Sequence, residues 1–432
     1  MLRSFVVVVL IASALVVTPA RLTAQSQDRP LSELLPQLYA DVIFAEVDAF
    51  ISELPFLVNI AELNDAAVAR FREETFPIIA LAGNQLSSFP LASASGGFTW
   101  TIDTASGAAT RTSNSFGPIF AERPLTIGRK RLNVGANFQH VTFDHLEERS
   151  LRGGDIVSYL SVPFIFDNLF FANSLDLKVT TDTLNVFATY GLTDRLDIGV
   201  AVPMNRVDVQ ATLTARIGFT STGVAENINP FETSQSGTES GIGDVVIRAK
   251  YNMLQHDTWG IAESVDVRLP TGDELNLLGI AGPQVRLTFI ASSALGQLSP
   301  HGNVAYTIAG RSAAAVDPKT YVTAPSEEIN YAAGADLALW PRATVAADIV
   351  GRVMRKAGTM TWGPADFSGS KFPQYQQFDF TADRDLHVLL GSVGAKVNPF
   401  KNMLFTANVL FPLTKNGLTD RLTWMAGLDY SF

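Results

Sequence analysis

The 432-residue sequence contains no cysteine, and basic residues are outnumbered, with 32 Lys and Arg against 42 Asp and Glu and a net charge of -10. The lack of cysteine excludes a disulfide scaffold and any metal site built on thiolates, and it suits an oxidising compartment such as the bacterial periplasm or outer membrane. We expect no metal and no other cofactor. Because no basic stripe offsets the acidic balance, we also expect no nucleic-acid partner.

Long hydrophobic runs are also scarce. The longest, from Phe5 to Val17, follows Arg3 and precedes a small-residue site at Thr23 and Ala24. This order is typical of a secretory signal peptide, which we place at residues 1–24. The run is too short for a transmembrane helix, which needs about 20 apolar residues. No later stretch approaches that length, so we expect no transmembrane helix.

Hydrophobic residues nevertheless make up 47% of the chain, and they are dispersed by alternation. The C-terminal stretch shows the pattern most clearly, because every second residue is apolar or aromatic: Leu422, Trp424, Ala426, Leu428, Tyr430 and Phe432. A period of two predicts a β-strand with one apolar face. The same pattern recurs along the chain back to Arg131.

The links between these strands alternate in length. The sequences "NPFKN", "WPRA", "LQHD" and "GLTDR" are short, whereas the other links are long: 146–175, 217–242, 269–283, 311–327 and 356–384. This asymmetry is typical of a transmembrane antiparallel β-barrel. We predict an all-β barrel of about 12 strands, or 14 if "GFTWTID" and "ATRTSNSF" add a hairpin. A soluble β-sandwich is the alternative. The barrel would lie among the lipids of the outer membrane of a Gram-negative-type bacterium.

The N-terminal region has a different period. One face is formed by Leu31, Leu34, Leu35, Leu38 and Val42 at helical spacing. We therefore divide the mature chain into a short helical segment at residues 25–96 and a barrel at residues 97–432. The helices would lie on the inner side of the barrel, where they would either plug the lumen or sit beneath it in the periplasm.

Charged residues fall mainly on the polar parity of the predicted strands. The predicted lumen lining comprises Asp244, Arg248, Lys250, Asp266, Arg268, Arg286, Asp348 and Arg352. These residues would form an internal salt-bridge network, or alternatively a substrate filter. Around Pro203 the apolar parity changes from even to odd numbers, which predicts a bulge or strand kink there.

The signal peptide, the helical segment, the barrel, the stretches "GIGDVVIRAKYNML" and "ESVDVRLPTGDE" and the terminal Phe together resemble the FadL-type outer-membrane transporters of hydrophobic compounds. They resemble still more closely the related family of the MetA pathway of phenol degradation. The resemblance covers roughly residues 97 to 432. It implies a channel for passive uptake of small hydrophobic compounds, either fatty acids or aromatic hydrocarbons. It also implies that Tyr430 and Phe432 in the C-terminal strand are a signal for the barrel assembly machinery.

A channel of this kind needs an apolar landing site for its small hydrophobic ligand. The link "IVSYLSVPFIFDNLFF" concentrates aromatic residues that we predict to capture the ligand: Tyr159, Phe164, Phe166, Phe170 and Phe171. Packing in the barrel mouth, or a rim in contact with lipid, is the alternative role.

Two other functions are open. A general diffusion porin would have an open charged lumen, and an outer-membrane lipid hydrolase would need a His-Ser pair. The arrangement His-x-Ser-Asn-Gly is absent from the sequence, and only His140 and His145 lie near an outer strand end. We therefore expect no enzymatic activity.

Overall fold

The computed structural model describes residues 30–39, 41, 82–83, 85–86, 97–102, 109–111, 115–164, 167–219, 223–224, 230–310, 325–367, 370–381, 384–400 and 402–432. The predicted signal peptide lies outside these residues. A 3-10 turn at Leu31–Glu33 leads into helical residues 34–39, and residues 41, 82–83 and 85–86 are also helical. In the described part of the chain, no helix is long and apolar enough to cross a membrane.

The remaining elements are strands. In chain order they are β1 (Trp100–Ile102), β2 (Ala109–Arg111), β3 (Leu132–Phe143), β4 (His145–Leu146), β5 (Arg149–Ser150), β6 (Ile156–Phe164), β7 (Asp167–Gly191), β8 (Leu196–Phe219), β9 (Gly223–Val224), β10 (Phe231–Ile242), β11 (Val245–Gln255), β12 (Trp259–Leu269), β13 (Gln284–Ser293), β14 (Leu298–Ala309), β15 (Glu328–Trp340), β16 (Ala343–Met354), β17 (Thr359–Phe367), β18 (Ser370–Thr381), β19 (Leu386–Phe400), β20 (Met403–Pro412), β21 (Leu418–Thr419) and β22 (Thr423–Ser431).

Twelve strands close into an antiparallel ring in the order β3, β7, β8, β11, β12, β13, β14, β15, β16, β19, β20 and β22. The last strand, β22, pairs with β3, and the Phe432 N–H donates to the Leu132 carbonyl oxygen over 2.8 Å. The prediction of a 12-stranded barrel is confirmed. The extra hairpin predicted before residue 115 exists as β1 and β2, but these form a separate two-stranded sheet. The ring therefore does not have 14 strands.

The two ends of the barrel differ as predicted. The links β7–β8, β11–β12, β13–β14, β15–β16 and β19–β20 are all short and lie at the end where the chain terminates. The links at the opposite end are longer and contain the strands outside the ring, β4, β5, β6, β9, β10, β17, β18 and β21. In membrane barrels the short turns face the periplasm. We call this the inner end and the opposite one the outer end.

The outside of the barrel carries an apolar belt. Large side chains that point outward and are exposed include Val200, Ile247, Phe289, Ile349, Val393 and Trp424. Between them, polar residues such as Asn133, Ser264, Asp348 and Ser392 point inward and are buried. Because the barrel is closed, every strand finds a backbone hydrogen-bond partner on both sides. The apolar exterior is compatible with the surrounding lipid. The protein is thus a transmembrane barrel of a Gram-negative-type outer membrane.

Strands β7 and β8 are about twice as long as the others and extend beyond the ring at the outer end. They pair continuously from Leu169 and Phe219 down to Gly191 and Asp197, without any register shift. Above the ring, β7 pairs with β6, and β8 pairs with β10. These four strands form an extension sheet on the outer side of the membrane.

The continuous register shows that the bulge predicted at Pro203 is wrong. Odd-numbered residues of β8 face inward on both sides of Pro203, since Ala201 and Val207 are both buried. What changes at Pro203 is the environment. Below it the outward residues contact lipid, so Val200 is apolar; above it they contact water, so Arg206 is polar and exposed. The partner of β8 changes at the same place, from β11 up to Ala201 to β10 from Met204.

Candidate ligand cavity in the lumen

A segment of chain before β3, residues 115–131, lies in the inner half of the lumen. We call it the luminal segment. The guanidinium of Arg248 on β11 forms an ion pair with the carboxylate of Glu122, which belongs to the luminal segment. The Lys250 ammonium donates to the Leu125 carbonyl oxygen over 2.9 Å, and the Lys396 ammonium donates to that of Pro118 over 2.6 Å. Anchors on β11 and β19 hold the segment across the barrel.

A buried histidine supports the same segment from β14. The His301 Nε2 lies 2.6 Å from an Asp348 carboxylate oxygen, and its Nδ1 lies 3.3 Å from an Asp336 carboxylate oxygen. All three side chains are fully buried. Asp336 accepts a hydrogen bond from the Ser115 hydroxyl, and Asp348 accepts from the Ile119 N–H over 3.4 Å. Both carboxylates therefore contact His301 and the luminal segment together.

The described helical residues lie at the other end of the lumen. The Ser32 N–H donates to the Leu275 carbonyl oxygen over 3.0 Å, and the Gln85 side chain accepts from the Leu418 N–H over 2.6 Å. Leu275 and Leu418 belong to outer links, so these residues occupy the outer mouth, whereas we expected the helices on the inner side. The predicted apolar helix face is buried at Leu31, Leu34, Leu35 and Leu38. Val42 lies outside the described residues.

Between the outer helical residues and the luminal segment lies a cavity of about 200 Å³. Gln85 touches it from the outer side, and Phe120 and Glu122 touch it from the inner side. The remaining lining comes from the barrel wall. This central cavity is the candidate ligand site.

One wall of the cavity is basic. It contains Arg248, Arg268, Arg286 and Arg352, which lie on β11, β12, β13 and β16. Arg248 is held by Asp266, with its Nε 2.5 Å from one carboxylate oxygen and its Nη2 2.8 Å from the other. This fork-to-fork geometry is typical of strong arginine–carboxylate pairs.

The other three arginines surround one carboxylate, that of Glu328. Its two oxygens lie 3.8 Å from the Arg286 Nη2 and 3.9 Å from the Arg352 Nη1. Arg268 interacts electrostatically with Glu328 and also with Arg286 and Arg352. Arg286 further donates to the Thr307 hydroxyl over 3.2 Å.

The facing wall is apolar. Its cavity-lining side chains are Val141, Phe143, Val388, Leu390, Leu410 and Leu418. All of them belong to one buried hydrophobic cluster or pack against it, together with the leucines of the outer helix. The two walls meet between β16 and β19, where Arg352 is directly paired with Val388. The cavity is therefore amphipathic, with a cationic side and an apolar side.

The predicted lumen residues are brought together only in part. Five of the eight line the cavity: Arg248, Asp266, Arg268, Arg286 and Arg352. Lys250 and Asp348 lie deeper, where they hold the luminal segment. Lys250 also lies 3.9 Å from Asp197. Ion pairs thus link the predicted residues to partners that sequence reasoning did not single out.

Asp244 has a different position from the one predicted, because it lies in the junction between β10 and β11 and not within a strand. Its carboxylate accepts hydrogen bonds from the Gly272 N–H over 3.1 Å and the Ile280 N–H over 3.0 Å. The Thr271 hydroxyl donates to the Gly243 carbonyl oxygen over 2.7 Å. The stretches "GIGD" and "PTGD" therefore brace each other and fix the link after β12.

Two of the predicted capture residues, Phe170 and Phe171, are buried. Phe170 is 0% exposed and packs against Tyr159 and Tyr375, so β18 covers it. Phe171 is 1% exposed and faces the interior cluster. The side chains of Phe164 and Phe166 lie outside the described residues. The segment belongs to β6 and β7 of the extension sheet, whose backbone is paired, and is not a free link.

The two histidines considered for hydrolysis are bound to carboxylates. The His140 Nδ1 lies 2.7 Å from an Asp182 oxygen, and the His145 Nδ1 lies 2.7 Å from an Asp144 oxygen. His140 also faces outward and stacks on Trp424. In the described part of the chain, neither histidine is hydrogen-bonded to a serine.

Several residues of the lumen were missed from the sequence. Glu122, His301, Asp336, Glu328 and Lys396 all hold the luminal segment or the basic wall. Glu328, Asp336 and Lys396 share the inward parity of their strands and could have been found from it. Glu122 lies in a segment without any periodicity, which carries no such signal.

Comparison with protein families finds a match in the middle of the chain. Residues 171–340 match the protein-family model described as putative MetA-pathway of phenol degradation. This range contains both "GIGDVVIRAKYNML" and "ESVDVRLPTGDE", so the resemblance is confirmed for this part of the chain. It spans β8, β10 and most of β7 in the extension sheet, the Asp244 brace and three of the four cavity arginines. A comparison with curated proteins gives no match.

Solved structures with a similar shape are outer-membrane channels. The COG4313 outer membrane channel from Pseudomonas putida F1 is 14% identical, with 70% of this chain and 96% of that chain covered and a TM-score of 0.40. The CymD monoaromatic hydrocarbon channel is 9% identical, with 71% and 89% covered and a TM-score of 0.36. A Pseudomonas aeruginosa FadL homologue is 10% identical, with 72% and 91% covered and a TM-score of 0.31.

Proposed function

We propose that the protein is an outer-membrane channel for passive uptake of small hydrophobic compounds. The observation that carries the proposal is the apolar wall of the cavity, which continues into the buried cluster under the outer helical residues. An apolar solute that enters from the outer mouth would lose contact with water along this wall. Its binding energy would then offset the cost of leaving the outer leaflet.

The filled lumen argues against the general diffusion porin. A porin of this size would need a continuous aqueous path, but the luminal segment is tied to the wall by Arg248, Lys250 and Lys396. We infer that the described helical residues at the outer mouth form a second constriction. Ions would then pass slowly, and a large steady conductance in planar bilayers would favour the porin.

The test compares two phenylalanines on β3. Phe143 faces the lumen and lines the cavity, while Phe138 faces outward. We expect Phe143→Ser to reduce uptake of radiolabelled toluene by Gram-negative cells that express the full chain, because a hydroxyl would interrupt the apolar wall. Phe138→Ser serves as the matched control. Equal uptake by both variants and the wild type, at equal outer-membrane levels, would contradict the proposal.

We further propose that the C-terminal strand presents Tyr430 and Phe432 to the barrel assembly machinery. The two rings pack edge to face with centroids 4.7 Å apart, at the end of the strand that closes the ring. Deletion of Phe432 should lower the amount of heat-modifiable barrel in the outer membrane. An unchanged amount would contradict this role.

A further inference from the structure

We propose that the outer rim of the barrel, where β15 and β19 begin and β16 and β20 end, binds the phosphate groups of an outer-leaflet glycolipid. This basic rim comprises residues 325–327, 355–358, 384–387 and 413–416. The inference goes beyond the proposed function, because it concerns the lipid around the protein and not a compound that passes through it. None of the rim residues lines the central cavity.

The first argument is the charge of the basic rim. Its cationic side chains are Arg355, Lys356, Arg384 and Lys415, and its carboxylates are Glu327 and Asp385. The four cations are all exposed. Even with both carboxylates ionised the rim is net positive, although the whole chain has a net charge of -10. The rim is therefore a local centre of attraction for anions on an otherwise acidic protein.

Hydrogen bonds hold the chain ends of the rim side by side. The Lys356 N–H after β16 donates to the Asp385 carboxylate over 2.9 Å. The Gly358 N–H donates to the Arg384 carbonyl oxygen, just before β19, over 2.9 Å. These bonds fix the backbone of Lys356 next to that of Arg384, so their cationic groups can reach the same anion.

The link after β20 is attached to β19 in the same way. The Leu413 N–H donates to the Leu389 carbonyl oxygen over 2.8 Å. The Asn416 side-chain amide donates to the His387 carbonyl oxygen over 2.9 Å. Lys415 lies between these two anchored residues and thus joins the cations of β16 and β19.

The second argument is the position of the rim at the edge of the lipid-facing belt. Leu413 is 47% exposed directly after β20, and Lys415 follows two residues later. Val353 lies on the outward parity of β16, and Arg355 follows it in the same way. Two residues of extended chain span about 7 Å. The cations therefore come directly after the last apolar side chains of the belt.

Aromatic side chains mark the same level. Tyr331 and His387 lie on the outward parity of β15 and β19, with the tyrosine oxygen 2.6 Å from the histidine Nε2. Tyr306 is 37% exposed on β14, and its hydroxyl donates to the Glu327 carboxylate over 2.8 Å. Tyrosine is enriched at membrane–water interfaces, where its ring lies at the level of the headgroups. The basic rim is thus placed where lipid headgroups lie.

Phosphate is the anion that suits this place. Arginine binds phosphate oxygens through its planar fork, and lysine binds them as a point charge. Clusters of four or more basic residues beside a membrane are typical of sites for anionic lipid headgroups. The outer leaflet of a Gram-negative outer membrane consists of lipopolysaccharide, whose lipid A part carries phosphates on its sugars. Its acyl chains would lie along the apolar belt and its phosphates against the rim.

The extension sheet gives a contrast within the same protein. Its outward face also carries cations, namely Lys178, Arg206 and Arg216, but there they lie among the carboxylates Asp176, Asp182, Asp208 and Glu232. Arg206 is directly paired with Asp182 on the adjacent strand. This face has no excess of positive charge, so it serves as the control.

The experiment is a titration of the purified full-length protein in non-ionic detergent, with bound lipid counted by native mass spectrometry. The two probes are lipid A and lipid A from which the phosphates have been removed, so the acyl chains and sugars are the same. We expect lipid A to bind at least about tenfold more tightly, since each basic residue near an anionic membrane surface contributes about fivefold. Inorganic phosphate at the concentration of the lipid should not displace it.

A triple variant tests the rim itself. Arg355→Gln, Lys356→Asn, Lys415→Gln should bind lipid A at least about tenfold more weakly and leave binding of the dephosphorylated lipid unchanged. Asparagine is chosen at position 356 because Lys356 has a φ of 51°, and asparagine tolerates this left-handed conformation. Lys356→Asn alone should weaken binding about fivefold. Heat-modifiable migration on gels checks that each variant is folded.

The matched control is Lys178→Gln, Arg206→Gln, Arg216→Gln, which removes the same charge from the extension sheet and should bind lipid A as the wild type does. Equal binding of the two lipids by the wild type would overturn the inference. Equal losses in both triple variants would also overturn it, because general attraction would then replace the rim. Displacement by inorganic phosphate would show a site for the free ion and not for the lipid. Uptake of toluene should be unchanged in the rim variant, so this test is separate from that of the channel.

Discussion

The Arg248 guanidinium joins the barrel wall to the Glu122 carboxylate of the luminal segment, and Asp266 holds the same guanidinium in place from the neighbouring strand. The Glu122 side chain is 8% exposed and the Asp266 side chain 7%. The pair thus ties the luminal segment to a wall residue more than a hundred positions away. Its strength decides how firmly the lumen is filled.

Glu122→Gln should loosen the luminal segment without disturbing the Arg248–Asp266 pair. A hydrogen bond to a charged group contributes about 1.5–3 kcal/mol. The Ile127 N–H in the luminal segment donates to Asp197 over 3.1 Å. A weaker bond between Arg248 and residue 122 should speed amide exchange at Ile127 by about tenfold. Hydrogen–deuterium exchange measures this rate. Asp257→Asn in an exposed inner turn is the control, and identical exchange in both variants would show that Glu122 is not an anchor.

The His301 cluster gives a prediction about stability. His301→Leu removes a side chain that contacts two buried carboxylates, Asp336 and Asp348, and a buried polar group that loses its partner costs about 1–3 kcal/mol. We expect a lower unfolding temperature in heat-modifiable gel migration. The addition of Asp348→Asn should recover part of the loss, because it removes one of the two buried carboxylates that lose contact with His301.

The matched control for this prediction is His256→Leu, since His256 is exposed in an inner turn and stacks on Trp259. That variant should unfold at the wild-type temperature. If His301→Leu also unfolds there, the two aspartates do not depend on His301.

The sequence predicted the barrel well because one physical cause, contact with lipid, imposes alternation on every strand between short inner turns. The same signal misled at Pro203. Alternation tells which parity is apolar, but it does not tell which side of the wall that parity faces. In β8 the inward parity is polar at Asp197 and apolar at Val209, because the strand leaves the membrane between them.

The luminal segment could not be predicted in this way. Its sequence, "SFGPIFAERPLTIGRKR", has no period of two and none of 3.6. Its position is fixed by side chains that are distant in sequence, such as Lys396 and Asp348. The burial of Phe170 was missed for a related reason, since this residue is covered by β18, a strand some 200 residues later. Apolar composition cannot distinguish a landing surface from a packed one.

The membrane boundary at Pro203 can be measured with labels, because the chain has no cysteine to remove. We expect bimane on Val200→Cys to be quenched by brominated lipids and bimane on Gln210→Cys to be quenched by aqueous iodide. The two positions are about 33 Å apart along the strand and both face outward. If brominated lipids quench both labels equally, the extension sheet lies in the membrane. A change from lipid to water at Pro203 would then not explain why the apolar parity changes there.

The last prediction concerns pH and Glu147, in the turn between β4 and β5. Its N–H donates to the Gly417 carbonyl oxygen over 2.7 Å, while its buried carboxylate oxygen Oε1 has no hydrogen-bond partner. Burial raises the pKa of Glu147. Backbone hydrogen bonds from Gly417 and Met360 act in the opposite direction, and the negative charge of neighbouring Glu148 raises the pKa further. Because the folded pKa exceeds the unfolded one, this carboxyl stabilises the closed mouth below its unfolded pKa. That contribution is lost as the pH rises through the folded value.

We therefore expect the outer mouth to be more firmly closed at pH 5 than at pH 8. The Leu418 N–H, which donates to Gln85, reports closure through its exchange rate corrected for the intrinsic effect of pH. Glu147→Gln should make protection of this amide less dependent on pH and raise it at pH 8, because a neutral amide replaces a buried charge. Burial also raises the pKa of Asp420, so some dependence should remain. Exposed Glu148→Gln is the control, and if it flattens the profile as much as Glu147→Gln does, burial of Glu147 is not the cause.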